Sequence, residues 1–278
     1  MSERLAAVIG HPIAHSLSPA LFAEFARAGG IDLDYRAVDV SPEALGATLL
    51  EWRADARFVG CNVTMPHKER IMSLLDGCSD AARACFAVNV VRRDGDNLIG
   101  ENTDVTGIAA TLAGHAFSPN SGSAVVFGAG GGASAVVHVL GNAGASEVWI
   151  VARTPAHGNA LAKRASSRWP KTAFTVLSLD HETPPPADLY VNATPLGQSG
   201  QHWRSLLPHN APAGALAFDL VYRPANTPFL REAAQRGLRT VGGFTMLLEQ
   251  ALATYEAWFS TRPVLDDDAR TRLEKLAA

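Results

Sequence analysis

The sequence predicts an α/β protein built from two α/β domains. Short apolar runs alternate with segments of helical periodicity along most of the chain. The alternation restarts after Ser118-Pro119-Asn120-Ser121-Gly122, a turn-forming stretch, and a glycine loop then joins a strand to a helix. With 278 residues, 47% hydrophobic and 18% charged, the chain can close two cores and is not of disordered composition. A net charge of −3 leaves no basic surplus for a nucleic-acid backbone. Cys61, Cys78 and Cys85 form no C-x-x-C pair, which suits a reducing compartment, and the N-terminal apolar run is too short for a secretory signal. The expected location is therefore cytoplasmic. Residues 123–146 lack Asp, Glu, Lys and Arg over a length that could span a bilayer. They divide into strand, loop and helix, so no membrane partner is expected.

In the N-terminal third, residues 5–9 read as a strand. Ser18-Pro19 opens a helix, with Ser18 as N-cap and proline at the first helical position, and Gly29-Gly30 ends it. Residues 35–40 form the next strand, and Ser41-Pro42-Glu43 opens a second helix by the same chemistry. A third strand covers 58–63, followed by a loop feeding a helix through Leu75. Residues 87–92 and 97–99 pair as a hairpin around Asp94-Gly95. A helix begins near Thr103 and runs to Gly114. The second series comprises strands at 125–127, 147–151, 174–177, 189–192 and 215–220, with helices to about Leu140 and over 159–168. An amphipathic helix over 245–259 and a charged C-terminal helix complete the chain.

Gly128-Ala129-Gly130-Gly131-Gly132-Ala133 fits G-x-G-x-x-G/A, placed after a strand and before an apolar helix. Gly128 permits the tight turn, Gly130 the approach of backbone to a pyrophosphate, and Ala133 close helix–strand packing. The helix start adds free N–H groups and a positive dipole end. A dinucleotide site follows. The next strand ends in Ala152-Arg153-Thr154, with no carboxylate to hold a ribose 2′-hydroxyl and a guanidinium suited to a 2′-phosphate. That favours NADP, the bland alternative being a solvated strand-end charge.

The N-terminal third holds the substrate candidates. Ser16 and Ser18 beside a helix start offer hydroxyls and N–H groups to a carboxylate, against a plain capping role for Ser18. His11 and His15 stand four apart with no third ligand, so no metal site is expected. Lys68, after a strand, can carry a proton once held in a polar cleft, although a lysine at a helix start is usually a surface charge. Asn102-Thr103-Asp104 adds an amide and a carboxylate, for which N-capping is the structural alternative.

Together these segments resemble the shikimate dehydrogenase family in its bacterial single-activity form. The matching pieces run from His15-Ser16-Leu17-Ser18-Pro19 through Asn62-Val63-Thr64-Met65-Pro66-His67-Lys68, Ala87-Val88-Asn89, Gly100-Glu101-Asn102-Thr103-Asp104 and the glycine loop. They continue with Arg153-Thr154, Asn192-Ala193-Thr194-Pro195-Leu196-Gly197, Asp219-Leu220-Val221-Tyr222-Arg223-Pro224 and Met246-Leu247-Leu248-Glu249-Gln250. The resemblance implies a substrate domain over 1–105, a Rossmann NADP-binding domain over 106–243 and C-terminal helices, 244–278, returning to the substrate domain. It implies reversible NADP-dependent reduction of 3-dehydroshikimate to shikimate in aromatic amino acid biosynthesis, by a monomer or homodimer. Lys68 and Asp104 are then the catalytic pair. Ser16 and Ser18 hold the substrate carboxylate, while Thr64, Asn89, Asn102 and Gln250 bind or adjoin the ring hydroxyls and Tyr222 lines the pocket. Gly128, Ala129, Gly130, Gly131, Gly132, Ala133, Arg153, Thr154, Thr194, Gly243 and Met246 hold NADP.

Departures from the family pattern occur at Leu17, where a basic residue is usual, and at Phe86, Val90, Ala152, His157 and Gly242. Leu17, Phe86 and Val90 motivate a second reading, a quinate/shikimate or shikimate-like dehydrogenase of another pathway. A non-catalytic nucleotide sensor on the same fold is a third, against which Lys68 and Asp104 together argue.

Overall fold

The structure, a computed structural model, describes residues 3–198 and 203–276. They divide into two compact units, one running to Thr106 and taken up again by Leu248–Leu276, the other formed by Gly107–Leu247. No described helix is long and apolar enough to cross a membrane.

In the first unit β1 (Arg4–Gly10), α1 (Ser18–Gly29), β2 (Leu33–Asp39), α2 (Leu45–Ala54) and β3 (Phe58–Val63) follow the expected alternation. β1 is buried from Leu5 to Gly10, as a parallel strand covered on both faces must be. β4 (Gly77–Cys78), α3 (Asp80–Cys85), the hairpin β5 (Val90–Asp94) and β6 (Asn97–Glu101), and the start of α4 (Asp104–Gly114) complete this part. The sheet order is β2-β1-β3-β5-β6-β4, with β5 antiparallel to both its neighbours.

Several local expectations are corrected. Leu17, not Ser18, is the N-cap of α1, and Ser16 Oγ accepts the Ser18 N–H at 3.2 Å instead. The Ser41-Pro42-Glu43 segment is in a turn, and α2 starts at Leu45. The helix after Lys68 is a short 3-10 turn, Arg70–Leu74. β4 and α3 carried too few periodic residues to register.

The second unit runs β7 (Ser123–Phe127), α5 (Gly131–Asn142), β8 (Glu147–Ala152), α6 (Pro155–Arg168), β9 (Ala173–Ser178), β10 (Leu189–Asn192), β11 (Leu216–Asp219), α7 (Pro228–Gln235) and β12 (Arg239–Val241). All its strands pair in parallel, in the order β12-β11-β10-β7-β8-β9. Numbered within the unit this is 3-2-1-4-5-6, the doubly wound order whose direction reverses between β7 and β10. α6 starts at Pro155, four residues before the expected helix, and α7 and β12 are elements beyond those the residue pattern predicts.

α8 (Gly243–Phe259) and α9 (Asp267–Lys275) end the chain. From Leu248 onward they belong to the first unit. Phe22 stacks on Tyr35 at 4.3 Å and lies 5.1 Å from Trp258, while Phe25 meets Tyr255 edge-on. Trp258 also donates its Nε1–H to Val91 O at 3.0 Å, directly above Gly60 of β3. A Cβ at Gly60 would stand 2.2 Å from Val91 O and 2.3 Å from Trp258 Nε1. Gly60→Ala is therefore expected to cost about 2–4 kcal/mol in urea unfolding. An alanine variant as stable as the parent would show that this seam can open.

Candidate active site

Because β5 runs back between β3 and β6, its first residue stands beside their last ones. Asn62 pairs with Val90, and Val90 with Glu101. The segment leaving β3, which includes Thr64 and Lys68, the residue entering β5, Asn89, and the segment leaving β6, Asn102-Thr103-Asp104, thus meet at one edge of the first unit's sheet.

Lys68 Nζ lies 2.5 Å from Asp104 Oδ2, with side chains 19% and 8% exposed. The other Asp104 oxygen accepts Asn89 Nδ2–H at 2.8 Å. Asn89 is itself fixed: its Oδ1 accepts the Thr103 N–H at 2.7 Å, and its carbonyl accepts the Val63 N–H at 2.7 Å. Gln250 Oε1, from α8, lies 3.4 Å from Asn89 Nδ2. The Val88 N–H donates to the Lys68 carbonyl at 2.7 Å and so ties the two loops together. An ammonium and a carboxylate so enclosed are not a solvated surface contact, and a pair held this way has the geometry that moving a proton requires.

Other candidates are placed differently. Asn102 turns its Nδ2–H to Ala87 O at 2.8 Å, bracing the loop before Asn89, and its buried Oδ1 has no protein partner among the described residues. Thr64 sits half-buried at the sheet edge, its N–H donating to Ile9 O at 2.9 Å. Ser18 is buried near half-buried Tyr35, whose phenol pKa is driven up by burial against the opposing pull of the Ser18 side chain.

The sequence reading did not single out Tyr35, Asn62, Thr103 or Thr254 as site residues. Tyr35 OH donates to Asn62 Oδ1 at 2.8 Å, Asn62 Nδ2 to Thr254 Oγ1 at 3.3 Å, and the Thr254 and Thr103 hydroxyls meet at 3.1 Å. The available signal was Thr254 standing one helical turn after Gln250 on the same face.

In the second unit Gly128 closes β7 with φ +114°, and a Cβ there would lie 2.9 Å from Ala193 O at the end of β10. Glycine is required at this switch point. Gly130 caps α5 in extended conformation, with open space where a side chain would project, and Gly131 and Gly132 begin the helix. Ala129 is half-buried and Ala133 fully buried. Arg153 and Thr154 are exposed after β8, and Arg153 has no ion-pair partner among the described residues. Thr154 caps α6 without a side-chain bond. Gly243 starts α8 where a Cβ would lie 2.5 Å from Leu220 O, and Met246 is buried in the next turn. The Thr194 hydroxyl is committed to its own loop, donating to Asn192 Oδ1 at 2.6 Å and accepting the Leu196 N–H at 3.2 Å. Tyr222 is half-buried, and burial raises its phenol.

The loops after β10 and β11 hang on Asp219, which is fully buried. It accepts Asn192 Nδ2–H and the Val221 N–H, both at 2.9 Å, and the Thr227 hydroxyl at 2.6 Å. Thr227 in turn caps α7. Burial pushes the Asp219 carboxyl up to about 6, against the pull of those hydrogen bonds.

A doubly wound parallel sheet opening on a glycine loop at its switch point defines the class, a dinucleotide-binding α/β oxidoreductase of the Rossmann type. Comparison with known proteins narrows it. A family model described as the shikimate dehydrogenase substrate binding domain matches residues 8–91. The shikimate dehydrogenase (NADP(+)) of Salinibacter ruber is 40% identical over 265 residues, covering 92% of each chain. Shikimate 5-dehydrogenase from Thermus thermophilus, solved with NADP(H) and shikimate, superposes with a TM-score of 0.84 at 36% identity, covering 99% of this chain and 100% of that one. The enzyme from Listeria monocytogenes, solved with shikimate and NAD, gives 0.88 at 28% identity, covering 98% and 96%. The chain belongs to the shikimate dehydrogenase family.

Asp219 generates a prediction. Its folded pKa of about 6 lies above the ordinary 3.8, so between these values the folded chain keeps a proton that the unfolded chain has lost. Its contribution to stability is present below that window and falls as pH rises through it. Asp219→Asn removes the titration. The urea-measured stability of the parent relative to that variant should fall by up to about 3 kcal/mol from about pH 4 to about pH 7. A difference flat with pH would mean that the carboxyl titrates normally.

Proposed function

We propose that this protein catalyses the reversible NADP-dependent reduction of 3-dehydroshikimate to shikimate, a step of aromatic amino acid biosynthesis, in the cytoplasm. The observation that carries the reading is the enclosed Lys68–Asp104 pair braced by Asn89. Residues 1–105 with the C-terminal helices form the substrate domain, and 106–243 the NADP domain. The residues present fit that cofactor: an unencumbered helix start at Gly130 for the pyrophosphate, and exposed Arg153 for the 2′-phosphate. When bound, NADP supplies or takes up the hydride at nicotinamide C4. Lys68 delivers the proton to the carbonyl oxygen during reduction and removes it from the hydroxyl during oxidation, with Asp104 holding the ammonium in place. Ser16 and Ser18 take the substrate carboxylate; Asn89, Gln250 and Thr64 orient the ring hydroxyls.

Steady-state kinetics with shikimate and quinate, each with NADP and NAD, test the assignment. Shikimate with NADP is expected to give the highest kcat/KM, and a win for quinate with NAD would replace this reading. Lys68→Ala should lower kcat by about 100-fold or more with little change in shikimate KM, whereas an unchanged kcat removes Lys68 from the mechanism. Arg153→Ala should raise the KM for NADP about tenfold and leave NAD kinetics alone. Equal effects on both cofactors would mean that Arg153 does not read the 2′-phosphate.

A further inference from the structure

The hydrogen bonds around the lysine–aspartate pair continue into the first unit, and their donors can be assigned. Asn89 Nδ2 has two protons, one for Asp104 Oδ1 at 2.8 Å and one for Thr103 Oγ1 at 3.1 Å. The Thr103 hydroxyl, accepting from Asn89, gives its own proton to Thr254 Oγ1 at 3.1 Å. Thr254 is then an acceptor on two sides, taking Asn62 Nδ2–H at 3.3 Å as well, and spends its single proton on Gln250 O at 2.9 Å. Tyr35 feeds Asn62 from the far side at 2.8 Å. Every donor direction is thus consistent from Tyr35 and from Asn89 inward to the Thr254 hydroxyl. Thr254 is fully buried and Asn62, Asn89, Thr103 and Asp104 nearly so, which excludes water as a ready substitute partner.

We propose that Thr254 is a positioning residue for the proton transfer, its hydroxyl orienting Thr103 so that the Asn89 amide stays aimed at Asp104. The inference rests on the proposed reaction. Without that acceptor the Thr103 hydroxyl turns toward Gln250 Oε1 or Asn89 Oδ1, each 3.4 Å away. Its pull then falls on the two side chains that should hold the substrate and brace Asp104. Nothing in Thr254 reaches the reacting atoms, so its removal acts on how well the pair is held.

The test is Thr254→Val, which keeps shape and volume, beside Thr254→Ser, which keeps the hydroxyl. For shikimate oxidation with NADP, the valine variant should show kcat reduced about fivefold to tenfold with KM within about twofold, as loss of one buried hydrogen bond predicts. The serine variant should return to within about twofold of the parent. Should valine at 254 prevent folding, Thr254→Ala removes the same hydroxyl and carries the same expectation. An unchanged kcat, a loss confined to KM, or a serine variant as slow as valine would overturn the role of Thr254 while the parent enzyme stays active. A parent that does not oxidise shikimate would instead overturn the proposed reaction.

Discussion

A half-buried ammonium beside a buried carboxylate is the constraint around which the first unit's site is organised. Desolvating both charges costs several kcal/mol per ion, and their attraction offsets this only when the remaining lone pairs are satisfied. Asp104 meets the requirement through Asn89, and Asn89 through the backbone of Thr103 and of Val63. The antiparallel return of β5 follows from the same demand. A parallel strand would carry its first residue to the opposite edge, and the amide that holds Asp104 would be lost.

The second unit solves a different problem with the same economy. The described residues of its loops after β10 and β11 contain little regular structure, yet they flank the glycine loop and must hold their course. One interior carboxylate with three donors, Asp219, fastens both, and Thr227 couples that anchor to the start of α7. Thr194, which the resemblance implies as a cofactor residue, donates its hydroxyl to Asn192, itself bonded to Asp219.

Most of this architecture was legible in the residues because its signals are local. Proline at the start and glycine at the end of α1, apolar runs for β1 and β7, and Asp94-Gly95 between β5 and β6 each encode their element within a few positions. Ser18 misled, since a serine before proline reads as a cap, whereas Leu17 takes that place and Ser16 supplies the oxygen. β4, with two residues, and α3, with six, are shorter than any periodicity can reveal. In the site, Lys68, Asn89 and Asp104 stood out within ordered motifs. Tyr35 and Thr254 did not, and Asn62 opened a motif without a role of its own, because their meaning lies in contacts between positions that are far apart, 192 residues in the case of Asn62 and Thr254.

That separation bears on synthesis. The aromatic seam of the first unit needs Tyr255 and Trp258 against Phe22, Phe25 and Tyr35, so its core is drawn from both ends of the sequence. The second unit is one continuous stretch, made before the helices that close the first. The usual order, in which the amino-terminal part folds first, is not open to a core that needs the last helices. Residues up to Thr106 emerge early and wait, their sheet half-dressed, until the last helices arrive.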